Sequence, residues 1–241
     1  MIRNPRILKW MMLIAPSTVL HVGAHHGQDR KSYRELGVKK IIWGEASEEN
    51  AAKLKSLFPE DEVVERIFWE ESNLHLKFFN SVSSENSSAI KPNDLESVKI
   101  TSCNTITVDE VMSAEISKGK LLIVLDVQGA EMHVLKGSIE TLKKADYVVI
   151  EIALKSQGYE ETPSESDIDA FMKNHRFTKS IQRPSHEGSY KDQLYIKNNK
   201  QRIVINSADL VTRIARICIH VIRFSHSPTS PQNCDVCNAV R

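Results

Sequence analysis

Residues 18–27 read TVLHVGAHHG, a run of β-branched and apolar side chains that ends in a glycine-containing turn. The run predicts a buried strand, and the pattern after it predicts a helix over 28–36. Further apolar runs at 39–45, 120–127 and 146–153 predict more strands of the same kind. Short apolar strands that alternate with helices are typical of parallel βαβ units, in which helices cover both faces of the sheet.

The remaining patterns complete one α/β domain over residues 17–200. Helices are predicted at 47–58, from 107 onward, at 130–144 and at 163–174, and strands at 63–69, 74–79, 177–183 and 192–198. The last two strands predict an antiparallel pair, and 74–79 an added edge strand. Residues 80–97 are polar and aperiodic, which predicts a long loop. The fold class is therefore a doubly wound, Rossmann-like α/β sheet, mostly parallel, with an antiparallel C-terminal strand pair.

Composition and charge narrow the class of protein. The 241 residues are 41% hydrophobic and 26% charged, with a net charge of +1. A nearly neutral chain argues against attraction to nucleic acid as a whole, so no nucleic-acid partner is predicted. Four scattered cysteines are too few for a disulfide framework, which favours a reducing, cytoplasmic location.

The two ends of the chain carry their own predictions. Residues 1–16 are expected to form an N-terminal helix, and a signal peptide is rejected because no cleavage site precedes the first strand. In the segment 201–241, residues 208–224 predict an appended amphipathic helix with its charged residues on one side. Such a helix can lie on a membrane surface, but packing against its own domain or against a second copy of the chain is the favoured interpretation. The rest of this segment is expected to be disordered, and its Cys234-x-x-Cys237 pair is a weak zinc signal.

The turn after the first strand and the tip of the second predict a nucleoside-type ligand. Gly23 and Gly27 allow a ligand to approach the backbone. Glu45 follows 22 positions after Gly23, where a carboxylate can accept hydrogen bonds from both ribose hydroxyls. The glycines that a dinucleotide needs for its pyrophosphate are replaced by His25 and Gln28. S-adenosylmethionine (SAM) has no phosphate, so the turn favours SAM over NAD.

A second acidic group follows the most apolar strand. Asp126 and Glu131 are expected to face the crevice at the sheet's carboxyl edge, with Glu151 at the end of the next strand. Helix capping would explain the same residues. No metal ligand set is predicted, although three carboxylates leave Mg²⁺ open as a minority interpretation.

Six motifs together resemble the FkbM-type SAM-dependent methyltransferases, over residues 17–198. They are HVGAHHGQ (21–28), IIWGEAS (41–47), SSENSSAI (83–90), LDVQGAEMHVLKGS (125–138), ADYVVIE (145–151) and DQLYIK (192–197). The resemblance implies a class I methyltransferase sheet that uses SAM. It also implies the cofactor-binding residues His21, Gly23, Ala24, Gly27, Glu45, Ser88 and Asp126, with Ser87 and Ser88 in a stretch over the cofactor.

The chain departs from the usual family pattern at four positions. His21 and His25 stand where Asp and Asn are frequent, Gln128 replaces a frequent Glu, and Arg176 replaces a usual Gly. The loss of a carboxylate at position 128 removes one candidate general base. We interpret these changes as features of a subfamily.

Three functions are compatible with the sequence. The first is an O-methyltransferase acting on a hydroxyl of a small molecule or sugar, with Asp126 and Glu131 as catalytic candidates ahead of His25 and His26. The second is a non-catalytic SAM-fold module that binds a partner through its tail. The third, an NAD-dependent oxidoreductase, is disfavoured by the absent glycines.

Overall fold

The computed structural model describes residues 16–81, 86–96, 98–115, 119–153, 159, 162–184 and 190–198. The predicted N-terminal helix over 1–16, except for its last residue, lies outside this range. The predicted amphipathic helix at 208–224 and the remainder of 201–241, including the Cys234-x-x-Cys237 pair, lie outside it as well.

The described residues form strands and helices in alternation. The strands are β1 (Thr18–Val22), β2 (Lys40–Glu45), β3 (Glu62–Glu65), β4 (Ile67–Phe68), β5 (His75–Ser81), β6 (Val98–Ile106), β7 (Leu121–Leu125), β8 (Tyr147–Ala153), β9 (Phe177–Pro184) and β10 (Tyr190–Lys197). The helices are α1 (Arg30–Glu35), α2 (Glu48–Leu57), α3 (Val108–Met112), α4 (Glu131–Lys136), α5 (Ile139–Lys144) and α6 (Glu165–Asn174).

Seven strands form the central sheet in the order β3-β2-β1-β7-β8-β10-β9. The pairs from β3 to β8 are parallel, and β10 is antiparallel to both β8 and β9. The predicted doubly wound sheet and its antiparallel C-terminal pair are therefore confirmed. The chain reverses its direction of growth at β1, which lies between β2 and β7. A crevice opens at such a switch point, outside the carboxyl ends of the strands.

Helices cover both faces of this sheet, and each face has its own apolar core. One core contains Tyr33, Trp43 and Leu54 with the β1 residue Val19, under α1 and α2. The opposite core combines alternate sheet residues with Val108, Met112, Val134, Leu135, Leu142, Ile168 and Met172 of α3 to α6. Because the central strands are buried on both faces, their sequences are apolar throughout and do not alternate.

The prediction of one strand over 63–69 is wrong, because the chain bends at the exposed residue Arg66. β3 pairs with β2 in the central sheet, whereas β4 pairs with β6 through Ile67 and Thr105. The strand predicted at 74–79 exists as β5, but it belongs to a separate three-stranded sheet with the order β4-β6-β5.

β6 is the element that the sequence did not indicate. It contains nine residues, Val98 to Ile106, and residues 98–104 pair antiparallel with the whole of β5. Five of these residues are exposed and only Thr105 is buried. A strand with so little buried surface has no apolar alternation to reveal it.

The single helix predicted over 130–144 is two helices, α4 and α5, which meet at Gly137 and Ser138. A Cβ at Gly137 would lie 2.1 Å from the carbonyl oxygen of Trp69, so no larger residue fits there. The Asp109 side chain then caps α5 from outside, since it accepts hydrogen bonds from the N–H groups of Glu140 (2.9 Å) and Thr141 (2.6 Å). These bonds satisfy donors that a new helix start leaves free.

Candidate active site at the switch point

The turn after β1 brings two backbones together. Gly23 has a φ of +81°, and its N–H donates to the carbonyl of Gly44 at 2.9 Å. A Cβ at Gly23 would lie 1.7 Å from the carbonyl oxygen of Asp126. The N–H of Asp126 in turn donates to the carbonyl of Val22 at 3.0 Å. Glycine at position 23 is therefore required by both the backbone angle and the contact between the first turn and the turn after β7.

The two other small residues of this turn face protein rather than open space. Ala24 is buried, and its N–H donates to the carbonyl of Gly44 at 3.1 Å. Gly27 has a φ of +68°, and a Cβ there would lie within 2.9 Å of the Phe58 ring and of Leu54. Gly27 thus allows α2 and the chain after it to pack against the turn.

Glu45 lies at the tip of β2 and organises the backbone around the crevice. Its Oε2 accepts from the N–H of His25 and its Oε1 from the N–H of Ser47, each at 2.8 Å. Burial raises the pKa of Glu45 to about 7, although these backbone hydrogen bonds oppose the shift. Each carboxylate oxygen has a second lone pair, so Glu45 can still accept a hydroxyl hydrogen bond.

His21 lies in the aromatic core beside the sheet. It is 3% exposed, and its Nδ1 is 2.9 Å from the hydroxyl of Tyr33. The ring also contacts Trp43, with centroids 5.6 Å apart. Burial lowers the pKa of His21 to about 4, so the imidazole is neutral at physiological pH. The role of His21 as a cofactor contact stays a prediction.

His25 and His26 stack on each other with ring centroids 3.8 Å apart. Nδ1 of His25 is 2.7 Å from the Gln28 amide nitrogen, and Nε2 of His26 is 3.0 Å from the Asn50 amide oxygen. His25 has a φ of +49°. Asn adopts this backbone region more readily than most residues, which explains why it is frequent at this position.

The turn after β7 carries a hydrogen-bonded trio of side chains. The Gln128 amide nitrogen donates to Asp126 Oδ1 at 2.7 Å and to Glu151 Oε2 at 2.9 Å. Burial, followed by the charge of Asp126 and a hydrogen bond to it, raises the pKa of Glu151 to about 9. At neutral pH Glu151 therefore keeps its proton and forms a hydrogen bond with Asp126.

Glu131 is a buried carboxyl in the same turn. Both of its oxygens lie 3.1 Å from the N–H of Gly129. Burial raises the pKa of Glu131 to about 7, and backbone hydrogen bonds oppose part of that shift. A carboxyl that is half ionised near pH 7 can accept and release a proton under physiological conditions.

A cleft opens beside this turn, towards the end of β8. Its empty space is about 320 Å³ when the solvent at its open side is counted, and only a small part of that space is enclosed by protein. Glu131, Glu151 and Gln128 line it together with Tyr159 and Tyr190. Burial and the nearby carboxylates raise the pKa of Tyr190 to about 12, so its hydroxyl keeps its proton. The cleft thus combines two titratable carboxyls with aromatic and aliphatic walls.

Ser87 and Ser88, which were predicted to lie over the cofactor, form hydrogen bonds that hold the segment 86–90 against β5 and the turn after β7. The Ser88 hydroxyl is buried, donates to the carbonyl of Gln128 at 2.8 Å and accepts from the N–H of Ile90 at 2.9 Å. The Ser87 hydroxyl accepts from the N–H of Ser81 at 3.0 Å. Tyr159 reaches the same segment by donating to the carbonyl of Asn86. A direct contact of Ser88 with a cofactor stays a prediction.

Among the described residues, no group of three or more His, Cys, Asp or Glu side chains is arranged to hold a metal ion.

Within that same part of the chain, no helix is both long enough and apolar enough to cross a membrane.

The sequence predicts that several residues of this crevice lie at the ends of neighbouring strands. The structure places Gly23, Glu45 and Asp126 at neighbouring strand ends, as parallel topology requires. The walls formed by Tyr159 and Tyr190 were missed, because no spacing or motif connects either residue with the turn after β7. Arg176, which replaces a usual Gly, has a φ of +64°. A glycine adopts this backbone angle without the strain that a side chain causes, which accounts for the glycine preference there.

Comparison with known families decides the class of protein. Residues 21–179 match the model of the methyltransferase FkbM domain. The chain belongs to the FkbM methyltransferase family. It is accordingly a SAM-dependent methyltransferase, as the six motifs predicted, and its strand order is that of the expected class I sheet. No curated protein matches the chain.

Several solved structures are similar to this FkbM methyltransferase at low identity. A SAM-dependent methyltransferase from Aquifex aeolicus is 15% identical, with 80% of this chain and 88% of that chain covered and a TM-score of 0.45. The magnesium protoporphyrin IX methyltransferase of Synechocystis PCC 6803 with bound SAM is 11% identical, with 80% and 77% covered and a TM-score of 0.43. The ribosomal protein L11 methylase of Lactobacillus delbrueckii subsp. bulgaricus is 11% identical, with 82% and 79% covered and a TM-score of 0.46.

Proposed function

We propose that this FkbM methyltransferase transfers the SAM methyl group to a hydroxyl of a small molecule or sugar. One observation supports the proposal most strongly: the Glu131 carboxyl, with a pKa raised to about 7, lines a cleft beside the turn that contacts Gly23. A hydroxyl is a weak nucleophile until its proton is removed, so a base poised near neutral pH fits this acceptor.

We assign SAM to the crevice between the ends of β1, β2 and β7. The residues present fit such a ligand, because Glu45 retains lone pairs that could accept from ribose hydroxyls and the Asp126 carboxylate would attract the positive charge of a sulfonium sulfur. Bound SAM supplies an electrophilic methyl group on that sulfur. The proposed contacts are His21, Gly23, Ala24, Gly27, Glu45, Ser88 and Asp126.

The side chains at the turn after β7 have different roles in the proposed reaction. Bound SAM would supply the methyl group and would leave as S-adenosylhomocysteine when its sulfur–methyl bond breaks. Glu131 would take the proton that the acceptor hydroxyl loses as its oxygen bonds the methyl carbon. Glu151 stays protonated and bonded to Asp126, so it does not compete as a base. The Gln128 amide holds this pair in place through two hydrogen bonds. Holding the hydroxyl oxygen in line with the methyl group supplies much of the rate.

The acceptor is small and not strongly anionic. The cleft walls that the structure describes include Glu131 and Glu151 but no Lys or Arg. A phosphate or carboxylate on the substrate would meet repulsion there. The net charge of +1 likewise supports a small acceptor over nucleic acid. We also propose a cytoplasmic location, because four scattered cysteines are too few for the disulfide framework of a small secreted protein.

The proposal is tested by incubating the full chain with SAM that carries a deuterated methyl group and a panel of neutral glycosides and alcohols, with carboxylic acids and amines included for comparison. We expect mass spectrometry to find the label in a product that survives mild alkali, as a methyl ether does and a methyl ester does not. Release of S-adenosylhomocysteine should depend on the acceptor. Labelled esters or amines alone, or no transfer to any panel member, would refute O-methylation.

Replacing Glu45 with glutamine is expected to weaken SAM binding about 10- to 100-fold, the equivalent of one or two hydrogen bonds to a charged group. A glutamine side chain keeps one oxygen, but its NH₂ group cannot accept a hydrogen bond. The substitution therefore also removes one of the two bonds that His25 and Ser47 donate to this side chain. Calorimetric titration with S-adenosylhomocysteine measures the change.

Glu65→Gln is the matched control for this substitution. Glu65 pairs with Glu45 in register on the neighbouring strand, and it forms an ion pair with Lys55 at the surface. The control should keep wild-type affinity. Equal affinities for Glu45→Gln and the wild type would remove Glu45 from the cofactor site.

A further inference from the structure

Gln128 has a buried amide oxygen that accepts no hydrogen bond from any described residue. The side chain is 9% exposed, and both hydrogens of its amide nitrogen are used by Asp126 and Glu151. These two carboxyl partners fix the orientation of the amide, so the oxygen must point away from them. Gln128 also adopts a φ of +52°, a backbone angle that few residues other than glycine take and that is unfavourable for a glutamine.

The unpaired oxygen belongs to a residue that lines the same cleft as the proposed base. The Glu131 carboxyl accepts a hydrogen bond from the N–H of Gly129, the residue that follows Gln128. The Gln128 amide oxygen and the Glu131 carboxyl are thus two acceptors on the same short stretch of chain. A buried carbonyl oxygen is costly without a donor, and a substrate N–H or O–H would satisfy it. Because Gln128 and Glu131 line one cleft, a single bound molecule with two donors can satisfy both acceptors.

We infer that Gln128 determines specificity by accepting a hydrogen bond from a second hydroxyl of the acceptor, adjacent to the hydroxyl that Glu131 deprotonates. The acceptor class is then a neutral vicinal diol, such as a sugar ring with two neighbouring free hydroxyls. This inference rests on the proposed O-methylation and narrows its substrate. A Glu at this position would have no amide hydrogens to donate to Asp126 and Glu151 and would place a third carboxyl beside them. Glutamine at position 128 avoids both effects.

The inference is tested with the methyl glycosides of glucose, galactose, rhamnose and fucose and with analogues of each. In the analogues one hydroxyl next to the methylated position is replaced by hydrogen or by fluorine, neither of which donates a hydrogen bond. For the best glycoside, the wild type should lose about 10- to 100-fold in kcat/KM when that hydroxyl is removed. Gln128→Met, which has no carbonyl oxygen, should process the glycoside and its analogues at nearly equal rates.

Gln193→Met is the matched control. Gln193 is fully buried on β10, its amide nitrogen donates to the carbonyls of Ser180 and Leu194, and its oxygen also accepts no bond among the described residues. Unlike Gln128, it does not line the cleft. This variant should discriminate between glycoside and analogue as the wild type does.

The outcomes separate this inference from the function on which it rests. Methylation with no discrimination by the wild type would overturn the role of Gln128, and this result needs no variant. Discrimination that persists in Gln128→Met would overturn it as well. Absence of methyl transfer to every glycoside and alcohol tested would instead refute the proposed function.

Discussion

Gly23→Ala is expected to abolish measurable SAM binding and to lower the free energy of unfolding by about 2–5 kcal/mol, from backbone strain and overpacking together. The new methyl group would lie 1.7 Å from the carbonyl oxygen of Asp126, which real structures do not allow. The turns after β1 and β7 must therefore separate, and the cofactor crevice between them changes shape. Calorimetric titration with S-adenosylhomocysteine, on protein whose folding is checked by circular dichroism, measures the effect.

Gly37→Ala separates this contact from the cost of the backbone angle alone. Gly37 has a φ of +86°, close to that of Gly23, but a Cβ there meets no described atom within 4 Å. We expect a loss of about 1–2 kcal/mol in stability, with unchanged affinity for S-adenosylhomocysteine. If folded Gly23→Ala bound the ligand as tightly as Gly37→Ala, the crevice would not be the cofactor site.

Glu131→Gln is expected to lower kcat about 10²- to 10⁴-fold while SAM binding is kept, because the amide cannot accept the hydroxyl proton. The glutamine has the same shape and can still accept one bond from the N–H of Gly129. In the wild type, activity should rise as the pH increases through about 7, where the Glu131 carboxyl loses its proton. The variant should lack this rise.

The control for the loss of charge is Glu140→Gln, since Glu140 is exposed and pairs with Lys143 on α5. It should keep both turnover and the pH profile of the wild type. Full activity in Glu131→Gln would transfer the base role to another group, of which Asp126 is the first candidate, ahead of His25 and His26.

Stability provides a second readout of Glu131 that does not depend on turnover. Its pKa is about 7 in the folded protein and 4.5 in an ordinary environment, so the folded state holds a proton that the unfolded chain releases between these values. The contribution of Glu131 to stability is therefore complete below pH 4.5 and is lost as the pH rises to 7. Relative to Glu131→Gln, the wild type should lose about 3 kcal/mol over this interval in chemical unfolding.

The central sheet was predictable because its strands are buried on both faces and so consist of continuous apolar runs. β6 was not, since Thr, Ser, Asn and Lys dominate a strand that contributes one fully buried residue. The break at Gly137 was missed for a different reason. It depends on the carbonyl of Trp69 and on the cap from Asp109, and both are far from the break in sequence.

Some features of the candidate site could be predicted from the sequence, and others could not. Strand order alone brings Gly23, Glu45 and Asp126 to one crevice, so their proximity follows from the sequence pattern. The raised pKa of Glu131 and the unpaired oxygen of Gln128 depend on burial, which no local motif encodes. The substitution of Gln for Glu at position 128 indicated the loss of a base. The structure adds that the amide bridges two carboxyls, which an ionised Glu could not do.

The most direct test of the account is a calorimetric titration of the full chain with SAM, S-adenosylhomocysteine and NAD at neutral pH. We expect one molecule of either adenosyl ligand to bind per chain and NAD not to bind, because His25 and Gln28 replace the glycines that a pyrophosphate needs. Binding of NAD, or failure of both adenosyl ligands to bind the folded protein, would contradict the assignment of the switch-point crevice as a SAM site.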